Sequence, residues 1–486
     1  MPQHPFLIDG FAPVNEETTL TDLDVTGRIP VWLDGRYLRN GPNPIADVDP
    51  AFYHWFMGDG MVHGVRLRNG KAEWYRNRWV RSRRVARRLG EPYRKLPRAG
   101  AQLAAGNTNI IGHAGKTLAL VEGGPNSYEL DEELNTLGVC DFDGTITGGY
   151  TAHPKRDPDT GELHALSYSF GRANRVEYTV IGVDGRARRC TEIEVDGSPM
   201  MHDFSLTEKH VIIYDLPVNF DTKQAVRMTL PGPLRKPAEI VLSSLLGRVR
   251  VPGALSSSFL NWRAQPNAEL PYRWTPGKPA RIGVMPREGT GTDVRWFEVE
   301  PCYVFHAVGA YDTDDDQIVI DVARHPRACA TNFTGPDEGL PSMYRWTIDL
   351  TADKIREEQI DDRAQDFPRI DDRKVSKLYR YAYALSGEGE RFGNAAPTSL
   401  IKHDLAHDSS QTRAFGSDAH IGEFVFVPEY ADAEEDRGVL MGFVLDRRAG
   451  HSNLVVLDAQ TLETVAEVHL PVRVPAGFHG NWLPTD

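Results

Sequence analysis

The chain has 486 residues and carries 55 lysines and arginines against 68 aspartates and glutamates, a formal charge of −13. This acidic balance argues against a nucleic-acid partner, because phosphate neutralisation needs clustered cations. Its 40% of hydrophobic and 25% of charged residues are typical of a globular protein and exclude a long disordered chain.

The start of the chain and its cysteines bear on the compartment. Residues 1–15 have neither the cationic start nor the apolar core of an export signal, and no apolar run approaches the roughly 18 residues that span a bilayer. The four cysteines lie far apart and form no Cys-x-x-Cys pair, which fits a reducing compartment. We therefore expect a cytoplasmic protein.

Short β-type runs separated by turn signals recur along the chain, and each predicts a strand. Connectors rich in glycine and aspartate, such as Asp157–Gly161 and Asp312–Asp316, have the composition of hairpin turns. No stretch alternates strands with helices, so the pattern predicts an all-β protein built as a barrel, a sandwich or a propeller. The predicted strands are Thr117–Val121, His164–Tyr168, Val211–Tyr214, Gln317–Val322, Glu423–Val427 and Val439–Val444.

Two segments break this pattern. Residues 76–98, the basic segment, contain one acid, Glu91, and predict either a solvated surface or electrostatic attachment to anionic lipid. Residues 230–262, the apolar segment, predict either packing on the core or an apolar face toward lipid. The cations of the basic segment are Arg76, Arg78, Arg81, Arg83, Arg84, Arg87, Arg88, Arg94, Lys95 and Arg98.

Four of the sixteen histidines are flanked by apolar or small residues: His153, His202, His306 and His479. A buried imidazole needs a partner for each nitrogen, and a metal on one with a carboxylate or carbonyl on the other meets that need. The four are dispersed over most of the chain, which excludes a zinc finger, where ligands come in close pairs. Ligands so far apart meet only where the fold converges them, as the axis of a propeller does.

Eight short motifs extend over nearly the whole chain. They are Arg39-Asn-Gly-Pro-Asn43, Phe52-Tyr-His-Trp-Phe-Met-Gly-Asp-Gly-Met61, Asn107-Thr-Asn109, Leu118-Ala-Leu-Val-Glu122, Thr151-Ala-His-Pro154, Met201-His-Asp-Phe204, Asp366-Phe-Pro-Arg369 and Gly477-Phe-His-Gly480. In this order they resemble the carotenoid cleavage oxygenase family, its bacterial members in particular. The resemblance implies a single domain over residues 1–486. That domain is a seven-bladed β-propeller whose loop and helical cap, including about 76–98 and 230–262, covers an axial metal site.

The same resemblance implies one Fe(2+) per chain, held by four neutral histidines that map onto His153, His202, His306 and His479. Imidazole suits several metals, so the assignment of iron comes from the family and not from the residues. Outside the ligands, the family has carboxylates that accept the outer N–H of three histidines. They map onto Glu122, Asp366 and Glu423.

Asp366 stands where the family usually has glutamate. Its side chain is one methylene shorter, so either its strand lies closer to the ligand or the hydrogen bond is weaker or bridged by water.

An octahedral ion with four imidazole ligands keeps two adjacent positions, which O2 can occupy. The reaction that the resemblance implies is insertion of both oxygen atoms across an alkene C=C bond to give two carbonyl products. No catalytic residue beyond the metal centre and no organic cofactor is expected. Phe56, Phe367 and Phe478 are expected to line the substrate cavity, with plain core packing as the alternative.

Three outcomes compete within the family: cleavage of carotenoids or apocarotenoids, cleavage of phenolic stilbenes and phenylpropenes, and retinoid isomerisation. The phenol-cleaving branch resembles a site in which a tyrosine and a lysine hold the substrate hydroxyl. Here Val121 stands at the lysine position, and Tyr93 falls roughly at that of the tyrosine. An apolar wall without a cation suits a polyene, so a carotenoid or apocarotenoid is predicted, with the phenolic alkenes, of the lignostilbene, resveratrol or isoeugenol type, as the alternative.

The two unusual segments agree with a polyene that is extracted from a membrane, and peripheral membrane contact is the corresponding expectation. A propeller that only binds partners, with the four histidines as packing residues, is the remote alternative.

Overall fold

The computed structural model of this chain describes residues 4–51, 53–93, 106–123, 127–146, 149–230, 232–245, 270–331, 338–387 and 397–485. Within these ranges, seven antiparallel sheets form the blades of a β-propeller, and a two-stranded ribbon lies beside them. The prediction of an all-β, seven-bladed propeller is confirmed. Parts of both unusual segments, residues 94–98 and 246–262, lie outside the described residues.

The strands are numbered in chain order. They are β1 (Thr19–Leu20), β2 (Val25–Gly27), β3 (Gly35–Pro42), β4 (Gly60–Arg68), β5 (Lys71–Trp79), β6 (Asn109–His113), β7 (Lys116–Leu120), β8 (Ser127–Leu130), β9 (Thr136–Cys140), β10 (Lys155–Arg156), β11 (Leu163–Ser167), β12 (Arg175–Ile181), β13 (Ala187–Glu194), β14 (Ser205–Leu206), β15 (His210–Asp215), β16 (Val218–Phe220), β17 (Tyr272–Trp274), β18 (Ala280–Pro286), β19 (Arg295–Val299), β20 (Tyr303–Asp312), β21 (Gln317–His325), β22 (Ser342–Asp349), β23 (Lys354–Asp361), β24 (Gln365–Arg369), β25 (Tyr381–Ser386), β26 (Ser399–Asp404), β27 (Ser409–Ala414), β28 (Ala419–Ile421), β29 (Val425–Pro428), β30 (Gly438–Asp446), β31 (His451–Asp458), β32 (Thr464–Leu470) and β33 (Gly480–Pro484).

Each blade is a meander whose first-named strand here faces the propeller axis. Blade 1 has the order β33-β3-β4-β5-β1, blade 2 β6-β7-β8-β9, blade 3 β10-β11-β12-β13 and blade 4 β14-β15-β18-β19. Blade 5 has the order β20-β21-β22-β23 and blade 6 β24-β25-β26-β27. In blade 7, β28 and β29 both pair with β30, followed by β31, β32 and β2.

The two chain ends close the ring. β2, from the N-terminal region, pairs with β32 of blade 7, and β33, from the C-terminal region, pairs with β3 of blade 1. Closure in this way leaves the axis surrounded by short protected strands. It also places the segment before β33, close to the end of the chain, at the centre of the molecule.

The core lies between the faces of neighbouring blades. Strands inside a blade are buried on both faces, as in β4, whereas outer strands alternate buried and exposed side chains, as in β5. One cluster joins blades 1 and 7 through Tyr37, Val65 and Tyr75 on one side and Met441 and Phe443 on the other. Apolar packing between blades therefore holds the axial strands in place.

The predicted strands are present, mostly with ends shifted by one or two residues, but one prediction was wrong in a way that matters. The sequence predicts a strand over Glu423–Val427. In the structure the axial edge of blade 7 is interrupted between β28 and β29, and Glu423 lies in this interruption. The break frees the Glu423 side chain and backbone from the sheet pattern. This allows the carboxylate to reach the axis.

The described α-helices lie in the two unusual segments and beside them: α1 (Arg83–Leu89), α2 (Thr222–Thr229) and α3 (Gly232–Leu245). Ser82 caps α1 by accepting a hydrogen bond from the Val85 backbone N–H, and Gly90 ends it with a positive φ of 73°. The sequence predicts that the basic segment breaks the β pattern from Arg76 onward. This was wrong for its first residues, because β5 continues to Trp79. None of the described helices is both long and apolar enough to cross a membrane.

Candidate metal centre

The four candidate ligands converge on the propeller axis. His153 and His202 lie just before β10 and β14, His306 lies in β20, and His479 directly precedes β33. They thus come from the axial strands of blades 3, 4, 5 and 1. All four are buried, and one ligand atom from each lies within 4.8 Å of the others.

Local irregularity turns His306 inward. The register between β20 and β21 shifts between Val304 and Ala307, which is a β-bulge at Phe305 and His306. A bulge bends a strand and redirects a side chain that regular alternation would place elsewhere.

The three remaining blades supply the candidate carboxylates: Glu122 follows β7 of blade 2, Asp366 lies in β24 of blade 6, and Glu423 precedes β29 of blade 7. His306 Nδ1 lies 2.7 Å from Asp366 Oδ1, and His479 Nδ1 lies 3.0 Å from Glu423 Oε1. Both distances are hydrogen bonds. An Nδ1–H that donates to a carboxylate leaves Nε2 as the nitrogen free for a metal.

Asp366 reaches its histidine directly, without the weakening that its shorter side chain suggested. The register of β24 against β25 shifts between Asp366 and Arg369, and Phe367 has a positive φ of 52°, so the strand bends where Asp366 meets His306. Burial acts against ionisation, but the imidazoles of His306 and His325 outweigh it and hold the pKa of Asp366 well below its usual range. In turn, the Asp366 carboxylate overcomes the effect of burial and raises the pKa of His306.

Glu423 is also held as an anion. Its Oε2 accepts a hydrogen bond from the Gly480 backbone N–H at 2.9 Å, and Arg369 Nη1 lies 3.6 Å away. Burial opposes ionisation here too, but His479 and Arg369 lower the pKa of Glu423.

Glu122 differs from the other two carboxylates. Its Oε1 lies 3.7 Å from His202 Nδ1, which is beyond hydrogen-bond distance. Burial raises the pKa of Glu122 well above its usual value, and neither of its carboxylate oxygens has a hydrogen-bond partner among the described residues. Glu122 is therefore the one candidate carboxylate that favours its neutral form.

The residues fit a divalent cation. His153 Nε2 is fully buried and has no hydrogen-bond partner among the described residues, which is costly unless a further group binds it. Burial, followed by the neighbouring imidazoles as the second cause, lowers the pKa of His153 and of His202 well below the usual value. Both imidazoles are therefore neutral and can offer a nitrogen lone pair to a metal. Four nitrogens at about 2.1 Å from one ion would be at most about 4.2 Å apart. The observed limit of 4.8 Å is close to that spacing.

Aromatic rings cover the histidines. The Phe367 ring centroid lies 4.7 Å from that of His306 and 5.2 Å from that of His479. Phe56 and Phe478 belong to the same layer, with centroids 5.6 Å apart, and Phe56 lies 6.1 Å from Phe305. The three predicted cavity residues are thus brought together, Phe367 directly on the ligands and the other two behind it.

The remaining two candidate substrate-binding residues, Val121 and Tyr93, do not belong to the aromatic layer. Val121 is buried next to Glu122, whereas Tyr93 is half-buried near Arg83 and Tyr128. Neither of them lines the cavity that reaches the metal site.

Several motif residues turn out to hold the site rather than form it. The Asn107 side chain donates to the backbone carbonyls of Phe56 and Gly58, at 2.9 and 2.8 Å, and Asn109 donates to the carbonyl of Ala152 at 2.9 Å. Gly477 is required because a Cβ there would lie 1.4 Å from Arg39 Nη1.

An ion pair between a half-buried lysine and a buried aspartate, which sequence reasoning missed, joins three ligand-bearing blades. Lys155 Nζ lies 2.8 Å from Asp203 Oδ1, and Asp203 Oδ2 accepts a hydrogen bond from the Ala307 backbone N–H at 2.9 Å. Asp203 directly follows the ligand His202, and Ala307 directly follows His306. Lys155 lies two residues after His153. The signal available in the sequence was a charged residue next to a histidine inside an apolar stretch.

A polar cavity of about 800 Å³ follows the axis and reaches the metal site. Residues of the axial strands line it, among them Asn109, Lys155 and Arg369, together with His153, His306 and His479. The aromatic layer lies outside its lining. His153, His306 and His479 therefore face a polar channel, and the rings of His306 and His479 also contact the aromatic side chain of Phe367.

Comparison with known proteins agrees with this site. The family model described as RPE65, retinal pigment epithelial membrane protein, matches residues 11–484. The carotenoid cleavage oxygenase of Mycobacterium tuberculosis is 55% identical over 493 residues, covering 99% of this chain and 98% of the relative. Carotenoid 9,10(9′,10′)-cleavage dioxygenase 1 of Arabidopsis thaliana is 32% identical, covering 99% and 89%. The crystal structure of lignostilbene dioxygenase from Pseudomonas brassicacearum has a TM-score of 0.81 at 26% identity, covering 100% of this chain and 99% of that one.

Proposed function

This chain belongs to the carotenoid cleavage oxygenase family and is a dioxygenase with a four-histidine metal site, and from that premise we propose that it cleaves a C=C bond of a carotenoid or apocarotenoid. One O2 is consumed, each alkene carbon receives one oxygen atom, and two carbonyl products leave. We propose that the metal is Fe(2+), one per chain.

The residues divide the work as follows. A ferrous ion held by His153, His202, His306 and His479 would activate O2 at the positions that the imidazoles leave open. Asp366 and Glu423, each within hydrogen-bond distance of a ligand Nδ1, keep the proton on that nitrogen and fix the ring orientation.

The aromatic layer supports an apolar substrate. Phe367 lies on two of the ligands, and Phe56 and Phe478 belong to the same apolar cluster, so a flat conjugated chain can pack against these rings beside the metal. Positioning of one double bond is then the main task of the protein.

The observation that carries the substrate choice is Val121. Its apolar side chain is buried next to Glu122, whose pKa burial raises, so this position offers no cation to a phenolate. The 55% identity to a carotenoid cleavage oxygenase supports the same choice.

Cleavage of phenolic stilbenes or phenylpropenes is the second candidate. It is favoured by the likeness of the whole fold to a lignostilbene dioxygenase, with a TM-score of 0.81. Tyr93 would be the phenol-binding residue in that case.

Aerobic incubation with an apocarotenal, β-carotene, resveratrol and isoeugenol, followed by identification of the aldehydes, tests the choice. We expect two carbonyl products from an apocarotenal or from β-carotene, and none from the His202→Ala variant. Turnover confined to the two phenolic compounds would contradict the proposed substrate class.

We further propose that the protein acts in the cytoplasm and meets a membrane through α1 and α3. On α3 the side chains of Leu234, Ile240 and Val241 are 52%, 65% and 57% exposed, and on α1 Arg83 and Arg87 face solvent. On α3 itself Arg235 and Lys236 are exposed as well, and exposed apolar groups together with cations fit the headgroup region of anionic lipid.

Sedimentation with vesicles of anionic and of neutral phospholipid tests this contact. Ile240→Glu should reduce binding to the anionic vesicles several-fold, whereas Leu378→Glu, at a leucine that is 65% exposed between β24 and β25, should leave it unchanged. Equal effects of the two changes would argue against docking through α3.

A further inference from the structure

A fifth buried histidine lies behind the metal site. His325 is the last residue of β21, the strand next to β20 in blade 5, and is 3% exposed. Its Nε2 lies 3.0 Å from Asp366 Oδ2, and its ring centroid lies 5.0 Å from that of Phe305. It touches none of the four ligands in the contacts found among the described residues.

The Asp366 carboxylate is thus shared between two imidazoles. Oδ1 accepts from His306 Nδ1 at 2.7 Å and from the Phe367 backbone N–H at 2.8 Å, while Oδ2 accepts from His325 Nε2. A buried carboxylate oxygen without a donor is costly, so His325 satisfies the half of Asp366 that the ligand does not.

In Glu423 the second carboxylate oxygen has a backbone donor instead of a histidine. Its second oxygen accepts from the Gly480 backbone N–H, a donor that any sequence would provide at that place. Asp366, in contrast, relies on the side chain of His325 for its second oxygen. The position where this chain departs from the family's usual glutamate is therefore the one with an additional histidine behind it.

The arrangement also spans two blades. His306 and His325 stand on neighbouring strands of blade 5, and Asp366 reaches them from blade 6. With Oδ2 tied to His325, the carboxylate is held against rotation, and its Oδ1 stays aimed at His306 Nδ1. Removing the His325 donor would free that rotation, and the ring of His306 would lose a fixed partner.

We propose that His325 is a positioning residue for the metal site, which holds the Asp366 carboxylate and through it the orientation of His306. The proposal rests on the four-histidine site and does not depend on which alkene is cleaved.

Binding of Co(2+) as a visible-absorption probe, and of Fe(2+) without oxygen, tests this role in the full chain. His325→Phe keeps a flat ring but removes the donor, and should weaken the metal affinity by about 10–100-fold and change the Co(2+) bands. His325→Gln retains an N–H donor for Asp366 Oδ2, and should therefore restore the affinity to within about threefold and most of the spectrum. His63→Phe, at a buried histidine that contacts Tyr75 in blade 1, is the matched control and should alter neither.

Wild-type affinity and an unchanged Co(2+) spectrum in His325→Phe would overturn the proposal. So would equal losses in the Phe and Gln variants, since these would indicate packing and not hydrogen bonding. If the Phe variant does not fold, His325→Leu takes its place, and failure of both to fold would assign the residue to stability alone. Loss of affinity in His325→Phe with unchanged substrate selectivity separates this role from the choice of alkene.

Discussion

The two sides of the metal site are built differently. On the side of blades 5, 6, 7 and 1, His306 and His479 each lie within 3.0 Å of an oxygen of a carboxylate whose pKa is lowered. On the side of blades 2, 3 and 4, His202 lies 3.7 Å from Glu122, whose pKa is raised, and His153 Nε2 has no partner among the described residues. One half of the site is therefore organised before a metal binds, and the other half depends on the metal to satisfy its nitrogens.

Loss of a ligand should have the largest effect, and it should be the same on both sides. His153→Ala and His479→Ala are each expected to lower bound iron from one per chain to less than about a tenth, and to abolish cleavage, because three imidazoles hold the ion far more weakly than four. Metal analysis of protein purified with added Fe(2+) measures this.

His407→Ala is the control for these variants, because that side chain is 65% exposed in the turn between β26 and β27 of blade 6. Full iron content in either ligand variant would show that the histidine is a packing residue.

The carboxylates should separate the two sides. Glu423→Gln removes an anion that accepts from His479, and should weaken Fe(2+) affinity by about 10–100-fold. Glu122→Gln removes no hydrogen bond to a ligand, and should cost about threefold or less. Anaerobic titration with Fe(2+) gives both values, and equal losses would contradict the contrast between the sides.

A cation placed on the unpaired side should act on substrate choice. Val121→Lys puts an ammonium into an apolar wall, which should lower the rate with an apocarotenal by about tenfold, because the charge is costly to bury beside a polyene. Val121→Met keeps the wall apolar and serves as the control. Rates of aldehyde formation decide, and an unchanged rate in the Lys variant would place the substrate elsewhere.

The smallest expected effect concerns buried histidines that lie outside the metal site and have no hydrogen bond to a carboxylate among the described residues. Burial lowers the pKa of His420 to about 3, and its Nδ1 has no partner among the described residues. Below pH of about 6.5 the unfolded chain binds a proton that the folded chain does not, so stability falls as the pH falls. His420→Gln should reduce the slope of the unfolding free energy between about pH 6 and 4 by roughly 1 kcal/mol per pH unit.

Denaturant titrations of the metal-free protein at several pH values measure this slope. An identical slope in the variant would show that His420 is not the group responsible.

The sequence predicted the parts of this molecule that follow from local pattern. Strands such as Gln317–Val322 were recognisable from β-branched residues between turns, and the four ligand histidines stood out because apolar neighbours surround them. Their wide spacing indicated that the fold must bring them together, whereas the assignment of iron followed from the family resemblance.

Features that depend on irregular backbone were beyond the sequence. The bulges at His306 and at Asp366 set which side chain faces the axis, and bulges leave no simple period in a sequence. His325 shows the same limit, because its hydrogen bond to Asp366 joins two blades, and neither residue's neighbours indicate it. The sequence predicted that Glu122 lies beside the site, but only the structure shows that its Oε1 is 3.7 Å from His202 Nδ1.

X-ray absorption at the iron edge of the Fe(2+)-loaded protein tests most directly whether four imidazoles surround one ion. One iron per chain with scattering from four imidazole rings at about 2.1 Å is the expected result. Fewer than four imidazoles, sulfur in the coordination sphere, or a folded chain that retains no iron would contradict it.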